Sequence, residues 1–136
     1  MANWYGKTRS NYFGVKDVAK FKEAVNDYDV TVIEKYDPEN VDAPPKVMFY
    51  TNDEGLMPTL YNEESDIGIP ITNVIQDHLI DNEICVTMTA GSEKAIYVNG
   101  TAVAFDSTGK YVTVDLDDIY QKVTETFGIE ASRAQE

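Results

Sequence analysis

The sequence predicts a single α+β domain in which helices pack on one face of a mostly antiparallel sheet. Six short stretches are rich in β-branched and aromatic residues, and three longer stretches carry apolar residues at helical spacing. The predicted order is β-α-β-β-α-β-β-β-α, and its first six elements follow the split β-α-β pattern of ferredoxin-like folds. With 136 residues and 43% apolar content, the chain can bury a core as one domain, residues 1–136.

The first third of the chain predicts a strand, a helix and a second strand. Residues 1–10 are polar and aromatic and are interpreted as an N-terminal arm, whereas residues 11–16 alternate well enough for the first strand. Asp17 is a suitable N-cap for a helix over residues 18–28, because a short acidic side chain accepts hydrogen bonds from the first helical turn. The β-branched stretch at residues 30–36 predicts the second strand.

The middle third predicts one strand and one helix around an irregular segment. Residues 37–45 form a proline-rich connection, and residues 46–51 are the third predicted strand. Residues 56–70 have no clear periodicity and contain proline and glycine, which indicates irregular structure. The second helix is expected to begin with a cap at Thr72 or Asn73.

The last third predicts three strands. The fourth strand covers residues 84–89 and is followed by a predicted turn at residues 90–93. The fifth strand covers residues 94–105, in which Gly100 is expected to mark a bulge or bend. A loop ending in Gly109 leads to the sixth strand at residues 111–114.

The last predicted helix has Asp115 or Asp117 as its cap and Gly128 just after its end, where left-handed glycine is common. Residues 129–136 are interpreted as a frayed tail. One side of the helix is apolar through Leu116, Ile119, Tyr120, Val123 and Phe127.

Charge is the strongest functional signal in the sequence. The net charge is −13, and residues 47–93 contain no Lys or Arg, whereas residues 7–22 are basic. This distribution argues against direct nucleic-acid binding, which requires cations to neutralise phosphates. The acids of the middle third predict either a merely soluble surface or an acidic face that docks on a basic, nucleic-acid-binding protein. The residues assigned to that face are Asp53, Glu54, Glu63, Glu64, Asp66, Asp77, Asp81 and Glu83.

The sequence also predicts a cytoplasmic protein. A single cysteine excludes an internal disulfide, and no apolar run reaches the roughly 20 residues of a membrane span. The N-terminus lacks the apolar segment of a signal peptide. We expect a monomer or a homodimer, with no membrane association.

No catalytic or metal-binding constellation is predicted, and no cofactor is expected. His78, Cys85 and Ser92 each lack a suitable partner by sequence, and the aspartates at 115, 117 and 118 lack the spacing of a calcium loop. Two alternatives to a non-enzymatic interaction protein stay open. One is a ligand-binding or enzymatic pocket near Tyr97, Tyr120 or His78, and the other is an oligomerising structural module.

Both ends of the chain carry motifs of a known kind. The chain opens with WYG at residues 4–6 and RSNYF at 9–13, then VKD at 15–17, and it later has AGSEK at 90–94 and LDDIY at 116–120. With Tyr97, Gly100, Ala102 and Ala104, these motifs resemble a family of small acidic proteins carried by phages, plasmids and conjugative elements. The resemblance implies a mobile-element accessory protein, such as an inhibitor of CRISPR or restriction defence. It supplies no catalytic residues.

Overall fold

The computed structural model describes residues 4–52, 58–61, 67–93 and 97–134. In these ranges, a six-stranded antiparallel sheet is accompanied by a two-stranded sheet and three helices. The predicted α+β class with a mostly antiparallel sheet is therefore confirmed. The strands are β1 (Trp4–Ser10), β2 (Val30–Lys35), β3 (Lys46–Thr51), β4 (Thr59–Tyr61), β5 (Gly68–Pro70), β6 (Cys85–Glu93), β7 (Tyr97–Phe105) and β8 (Tyr111–Asp115). The helices are α1 (Val18–Ala24), α2 (Ile71–His78) and α3 (Asp118–Phe127).

The main sheet has the strand order β2-β3-β1-β6-β7-β8. Both β1 and β2 are antiparallel to β3, which lies between them, so α1 joins two parallel strands that are one strand apart. In the same way, α2 lies on the connection from β3 to β6, which flank β1. This is the split β-α-β arrangement that the sequence predicted for the first part of the chain. The strands β7 and β8 then extend the sheet beyond β6.

The first strand lies earlier in the chain than predicted. The arm assigned to residues 1–10 is wrong from residue 4 onward, because β1 occupies a central position between β3 and β6. Residues 11–16, which were predicted to be the strand, form only isolated bridges, from Phe13 to Val47 and from Val15 to Leu79.

The prediction missed β1 because its buried side chains are polar. Thr8 and Ser10 are fully buried or nearly so, yet neither gives an apolar signal. The Thr8 hydroxyl lies 2.8 Å from that of Thr89, and the Ser10 hydroxyl accepts a 3.0 Å hydrogen bond from the backbone N–H of Phe49. Hydroxyls that find partners can replace apolar groups in the middle of a sheet.

The first helix begins as predicted and ends early. Asp17 is its N-cap, and its side chain accepts a 3.1 Å hydrogen bond from the backbone N–H of Lys20. The helix ends at Ala24 rather than at residue 28. Val25 and Tyr28, which the prediction included in the helix, follow its end and are buried.

The second helix begins at Ile71, before both of the predicted cap residues. Its N-cap is Pro70 in an extended conformation, with no side-chain hydrogen bond, so the predicted cap at Thr72 or Asn73 is wrong. Proline suits a helix start because it has no N–H group that would lack a partner there. Pro70 also ends β5, which pairs with β4 in the segment that was predicted to be irregular.

The core lies between one face of the sheet and the two helices α1 and α2. The rings of Phe13 and Phe21 meet edge to face with centroids 5.8 Å apart, and both are fully buried. The other fully buried apolar residues are Val47, Phe49, Ile71, Ile75, Leu79 and Cys85. The predicted packing of helices on one face is therefore right for α1 and α2.

The hairpin of β6 and β7 is longer than predicted. The turn assigned to residues 90–93 is wrong, because these residues continue β6 and stay paired up to Glu93 with Tyr97. Gly100 is not at a bulge either, since it pairs with Ala90 in an unbroken register. Its lack of a side chain serves close approach instead: a Cβ there would lie 3.0 Å from Cγ of Leu116.

The last strand and helix follow the predicted loops, and Asp117, one of the two predicted cap positions, is the N-cap of the helix. Gly109 and Gly128 both have positive φ, and Gly128 ends α3 in the left-handed conformation that the sequence predicted. Asp117 is the N-cap of α3 but makes no side-chain cap bond. Asp118 instead accepts a 2.9 Å hydrogen bond from the backbone N–H of Asp115. No side chain of α3 is buried, so the prediction that this helix covers a face of the sheet is wrong.

Candidate functional site

Three of the eight residues assigned to the acidic face lie in the described part of the chain. Asp77 is exposed on α2, Asp81 is exposed just after that helix, and Glu83 is partly buried before β6. All three are therefore near the C-terminal end of α2. The other five, Asp53, Glu54, Glu63, Glu64 and Asp66, lie outside the described residues.

Glu83 has a structural role at this end of the sheet. Its Oε1 accepts a 2.6 Å hydrogen bond from the backbone N–H of Gly14 and lies 3.4 Å from Nζ of Lys46. The Glu83 side chain is 26% exposed, so the carboxylate joins three segments in a partly desolvated position. A partner that engaged Glu83 would compete with these contacts, which makes Asp77 and Asp81 the more available acids.

The loop between β7 and β8 brings further negative charge to the same end. Asp81 Oδ1 accepts a 3.2 Å hydrogen bond from the Ser107 hydroxyl, and both residues line a cleft together with Asp106. The Thr108 hydroxyl donates to Asp106 Oδ1 at 2.6 Å, and this bond holds the pKa of Asp106 below its ordinary value. Asp106 therefore stays ionised to lower pH than a free aspartate, and it adds to the acidic end.

The alternative pocket residues lie on three different elements. The ring of His78 on α2 packs against Phe21 with centroids 5.9 Å apart. Tyr97 is half exposed at the start of β7. Tyr120 on α3 lines a cleft of about 280 Å³ between that helix and the C-terminal segment, and neither Tyr97 nor His78 lines this cleft.

The end of the described chain forms one side of the cleft at Tyr120. The guanidinium of Arg133 lies 4.6 Å from the centre of the Tyr120 ring, and the backbone N–H of Ala134 donates to the Tyr120 hydroxyl at 2.7 Å. The described part of the segment that was interpreted as a frayed tail thus returns to α3. These contacts use Tyr120 for packing.

The residues that could carry nucleophilic chemistry are engaged in structure. Cys85 is fully buried under the helices, and burial raises the pKa of its thiol to about 12, so the reactive thiolate is absent at neutral pH. Ser92 lies within β6, paired with Tyr5 and Val98. Lys94, two residues further along the chain, lies outside the described residues.

Two of the three aspartates near α3 have local roles, whereas Asp117 makes no side-chain cap bond. Asp115 accepts a 2.6 Å hydrogen bond from the Thr101 hydroxyl, and Asp118 accepts from the backbone of Asp115. Across residues 4–52, 58–61, 67–93 and 97–134, no group of three or more His, Cys, Asp or Glu side chains is arranged to hold a metal ion.

One surface was not predicted from the sequence. The face of β6, β7 and β8 that points away from the core carries apolar side chains that stay exposed, including Met88, Val98, Val112 and Val114. The signal for it was present, because β7 and β8 have apolar residues on both faces. Such strands normally indicate a sheet that is covered on both sides.

No protein-family model, curated protein or solved structure matches this chain. In the described part of the chain, none of the helices has the length and apolar character that a membrane span requires.

Proposed function

We propose that this chain is a non-enzymatic interaction protein that binds the basic, nucleic-acid-binding surface of another protein and thereby inhibits it. The observation that carries the proposal is the charge distribution. The chain has 24 acids against 11 basic residues, and residues 47–93 contain no Lys or Arg. A surface of this kind imitates the closely spaced negative charge of a nucleic-acid backbone.

The acids in the described part of the chain support the proposal. Asp77 and Asp81 are exposed near the end of α2, and Asp106 lies beside Asp81 in the same cleft. Hydrogen bonds hold Asp81 and Asp106 in fixed positions, which lowers the entropy lost when a cationic partner engages them. The nearest basic residue in sequence, Lys110, donates its backbone N–H to Asp106.

The biological setting is part of the proposal. The motifs at both ends of the chain resemble small acidic proteins of phages, plasmids and conjugative elements, which favours an accessory protein that acts in the bacterial cytoplasm. The partner would then be a nucleic-acid-binding effector or nuclease of host defence, of the CRISPR or restriction kind. The target site would be the groove that normally holds DNA or RNA.

The proposed function needs no catalysis by this chain, and structural contacts of three side chains support that part of the proposal. The thiol of Cys85 is held neutral by burial, and His78 uses its ring to pack against Phe21. Tyr120 is occupied by Arg133 and Ala134. Each of these side chains therefore has a structural explanation that needs no substrate.

The test is capture from a bacterial lysate followed by competition. The tagged chain is used as bait, and bound proteins are eluted with duplex DNA or with single-stranded RNA. We expect the eluted proteins to bind nucleic acid, because the acidic face and the nucleic acid compete for one groove. Captured proteins that DNA and RNA both leave on the bait would contradict the proposal.

A pair of charge variants sharpens this test. Reversal of Glu63, Glu64 and Asp66 to Lys should abolish capture, whereas the matched reversal of Asp27, Glu39 and Asp42 changes net charge equally outside the predicted face. Equal loss in both variants would indicate that only net charge matters. Capture should also weaken steeply as salt concentration rises, since the pairs lie at a surface.

A further inference from the structure

On one face of the sheet, the strands β6, β7 and β8 leave large apolar side chains exposed to solvent. We call it the open face: it consists of the side chains of β6, β7 and β8 that alternate with the core-facing residues Cys85, Thr87 and Phe105. None of its members is charged. Its larger apolar members are Val86 and Met88 on β6, Val98 on β7 and Val112 and Val114 on β8, and the polar Ser92 lies on the same face beside Val98.

The open face is continuous and exposed. Met88 pairs with Ala102, which pairs with Val114, so the three side chains form one row across the strands. Met88 is 59% exposed, and Val112 and Val114 are 64% and 59% exposed. Small residues in the centre and larger ones at the sides give a shallow surface that a helix can approach closely.

The chain also carries an apolar helix surface without a partner. Ile119, Val123 and Phe127 follow one another at four-residue spacing along α3, and no side chain of that helix is buried. Ile119 is 54% exposed and Phe127 is 70% exposed. The charged residues Asp118, Lys122 and Glu125 occupy the other side of the helix.

We propose that a second copy of this chain covers the open face, with α3 of each copy packed on the open face of the other. Each chain contributes one flat apolar surface and one apolar ridge, which is the self-complementary arrangement that a two-fold dimer requires. The short link from β8 to α3 begins with Leu116, which lies over Gly100 at the edge of the open face. The helix therefore starts next to the surface that its counterpart would cover.

The exposed area fits a dimer. The large apolar side chains of the open face and α3 are about half to two thirds exposed. At on the order of 100 Å² each, the six of them offer about 600 Å² per partner, which is the lower end of the range for a specific, stable interface. A patch of this size is at or beyond the upper end for a monomer surface.

Charge favours a second copy over a basic partner at this place. The open face contains no acid, so it has nothing to offer a cationic groove. Each chain has a charge of −13, and the charged side chains next to the open face are the cations Lys7 and Arg9 of β1, which pair with Ala90 and Met88. The dimer is thus independent of the acidic-face proposal, and either one can fail alone.

The first test is sedimentation velocity of the full chain over a wide concentration range. We expect a dimer that dissociates on dilution. The substitutions Met88→Lys on the open face and Phe127→Lys on α3 should each weaken dimerisation by roughly 10- to 100-fold, because each buries an unpaired charge. The matched control is Val41→Lys, at a loop residue that is 79% exposed, and it should leave dimerisation unchanged.

The second test identifies the geometry by cross-linking two mixed populations. One carries Met88→Cys and the other Phe127→Cys, and a short bifunctional maleimide joins them; the native Cys85 is buried and does not interfere. We expect heterodimeric product to exceed either homodimeric product. A chain that stays monomeric at every concentration overturns the proposal. A dimer that both Lys variants leave intact also overturns it. So does cross-linking that occurs with a Thr113→Cys variant but not between the Met88→Cys and Phe127→Cys variants, because such a dimer would form through the edge strand β8.

Discussion

The two ends of the main sheet use apolar side chains in opposite ways. At the β2-β3-β1 end, Phe13, Phe21 and Phe49 are fully buried beneath α1 and α2. At the β7-β8 end, Val112 and Val114 are more than half exposed, and α3 buries nothing. We call these the covered end and the extension. Burial is what makes an apolar side chain stabilise a single chain, so the extension contributes apolar surface without contributing much stability.

This difference separates folding from interaction. The covered end already satisfies the ferredoxin-like arrangement with β1, β2, β3 and β6. The extension adds a hairpin and a helix whose apolar residues are not needed to close that core. Residues that cost solubility and add little stability are best explained by a surface that another molecule covers.

The largest expected difference in stability is between two phenylalanine truncations, one in the covered end and one in the extension. We expect Phe21→Ala to lower the free energy of unfolding by about 3–5 kcal/mol, because it removes a fully buried ring and leaves a cavity. The matched change Phe127→Ala, at a ring that is 70% exposed, should cost less than about 0.5 kcal/mol in dilute protein. Urea unfolding measures both. Equal losses at the two positions would remove the distinction between covered end and extension.

The sequence allowed the covered end to be predicted best where the local chemistry is explicit. The third predicted strand matches β3 at both bounds, since residues 47–50 are apolar or aromatic and the strand is flanked by proline and asparagine. Asp17 and Gly128 were found because a cap and a left-handed helix end each require a particular residue type. These features depend only on residues that are close in the sequence, so the sequence alone is enough to predict them.

Pairing across the sheet was harder to predict. The Gly91-Ser92 pair indicates a turn by composition, but both residues are paired with β1 and β7, and tertiary pairing overrides the local preference. The polar β1 was missed for a similar reason, because Thr8 and Ser10 gain partners only from distant strands. Which apolar face of the sheet stays exposed depends on the position of α3, and the periodicity of apolar residues does not predict that position.

The next effect concerns the carboxylate that joins three segments of the covered end. Glu83→Ala should lower the free energy of unfolding by about 1–3 kcal/mol, because the backbone N–H of Gly14 loses its acceptor. The control Lys46→Met removes only the ion pair, whose lysine is 58% exposed, and should cost less than about 1 kcal/mol. Thermal and urea unfolding measure both variants. A lysine variant as destabilised as the glutamate variant would show that the ion pair, rather than the N–H bond, stabilises this junction.

Cys85 makes the stability of the covered end depend on pH in the alkaline range. The extension contains no cysteine and so has no such contribution. Burial raises the pKa of Cys85 from 9.0 to about 12, so the unfolded chain loses this proton first as pH rises. Stability from this group is complete below pH 9 and is lost between pH 9 and 12, at up to about 1.4 kcal/mol per pH unit. We expect Cys85→Ala to reduce that slope in unfolding measured at several alkaline pH values. An unchanged slope would mean that the thiol ionises without unfolding.

The smallest effect compares the first helix of the covered end with the helix of the extension. Asp17→Ala should cost about 1 kcal/mol, because its side chain accepts the N–H of Lys20 at the start of α1. Asp117→Ala occupies the same N-cap position on α3 but removes no side-chain cap bond, so its effect on unfolding should be close to zero. Both variants change net charge equally, which makes each the control for the other. If Asp117→Ala proved as costly as Asp17→Ala, the Asp117 carboxylate would stabilise the start of α3 without a side-chain cap bond, and the predicted contrast between the two helices would be wrong.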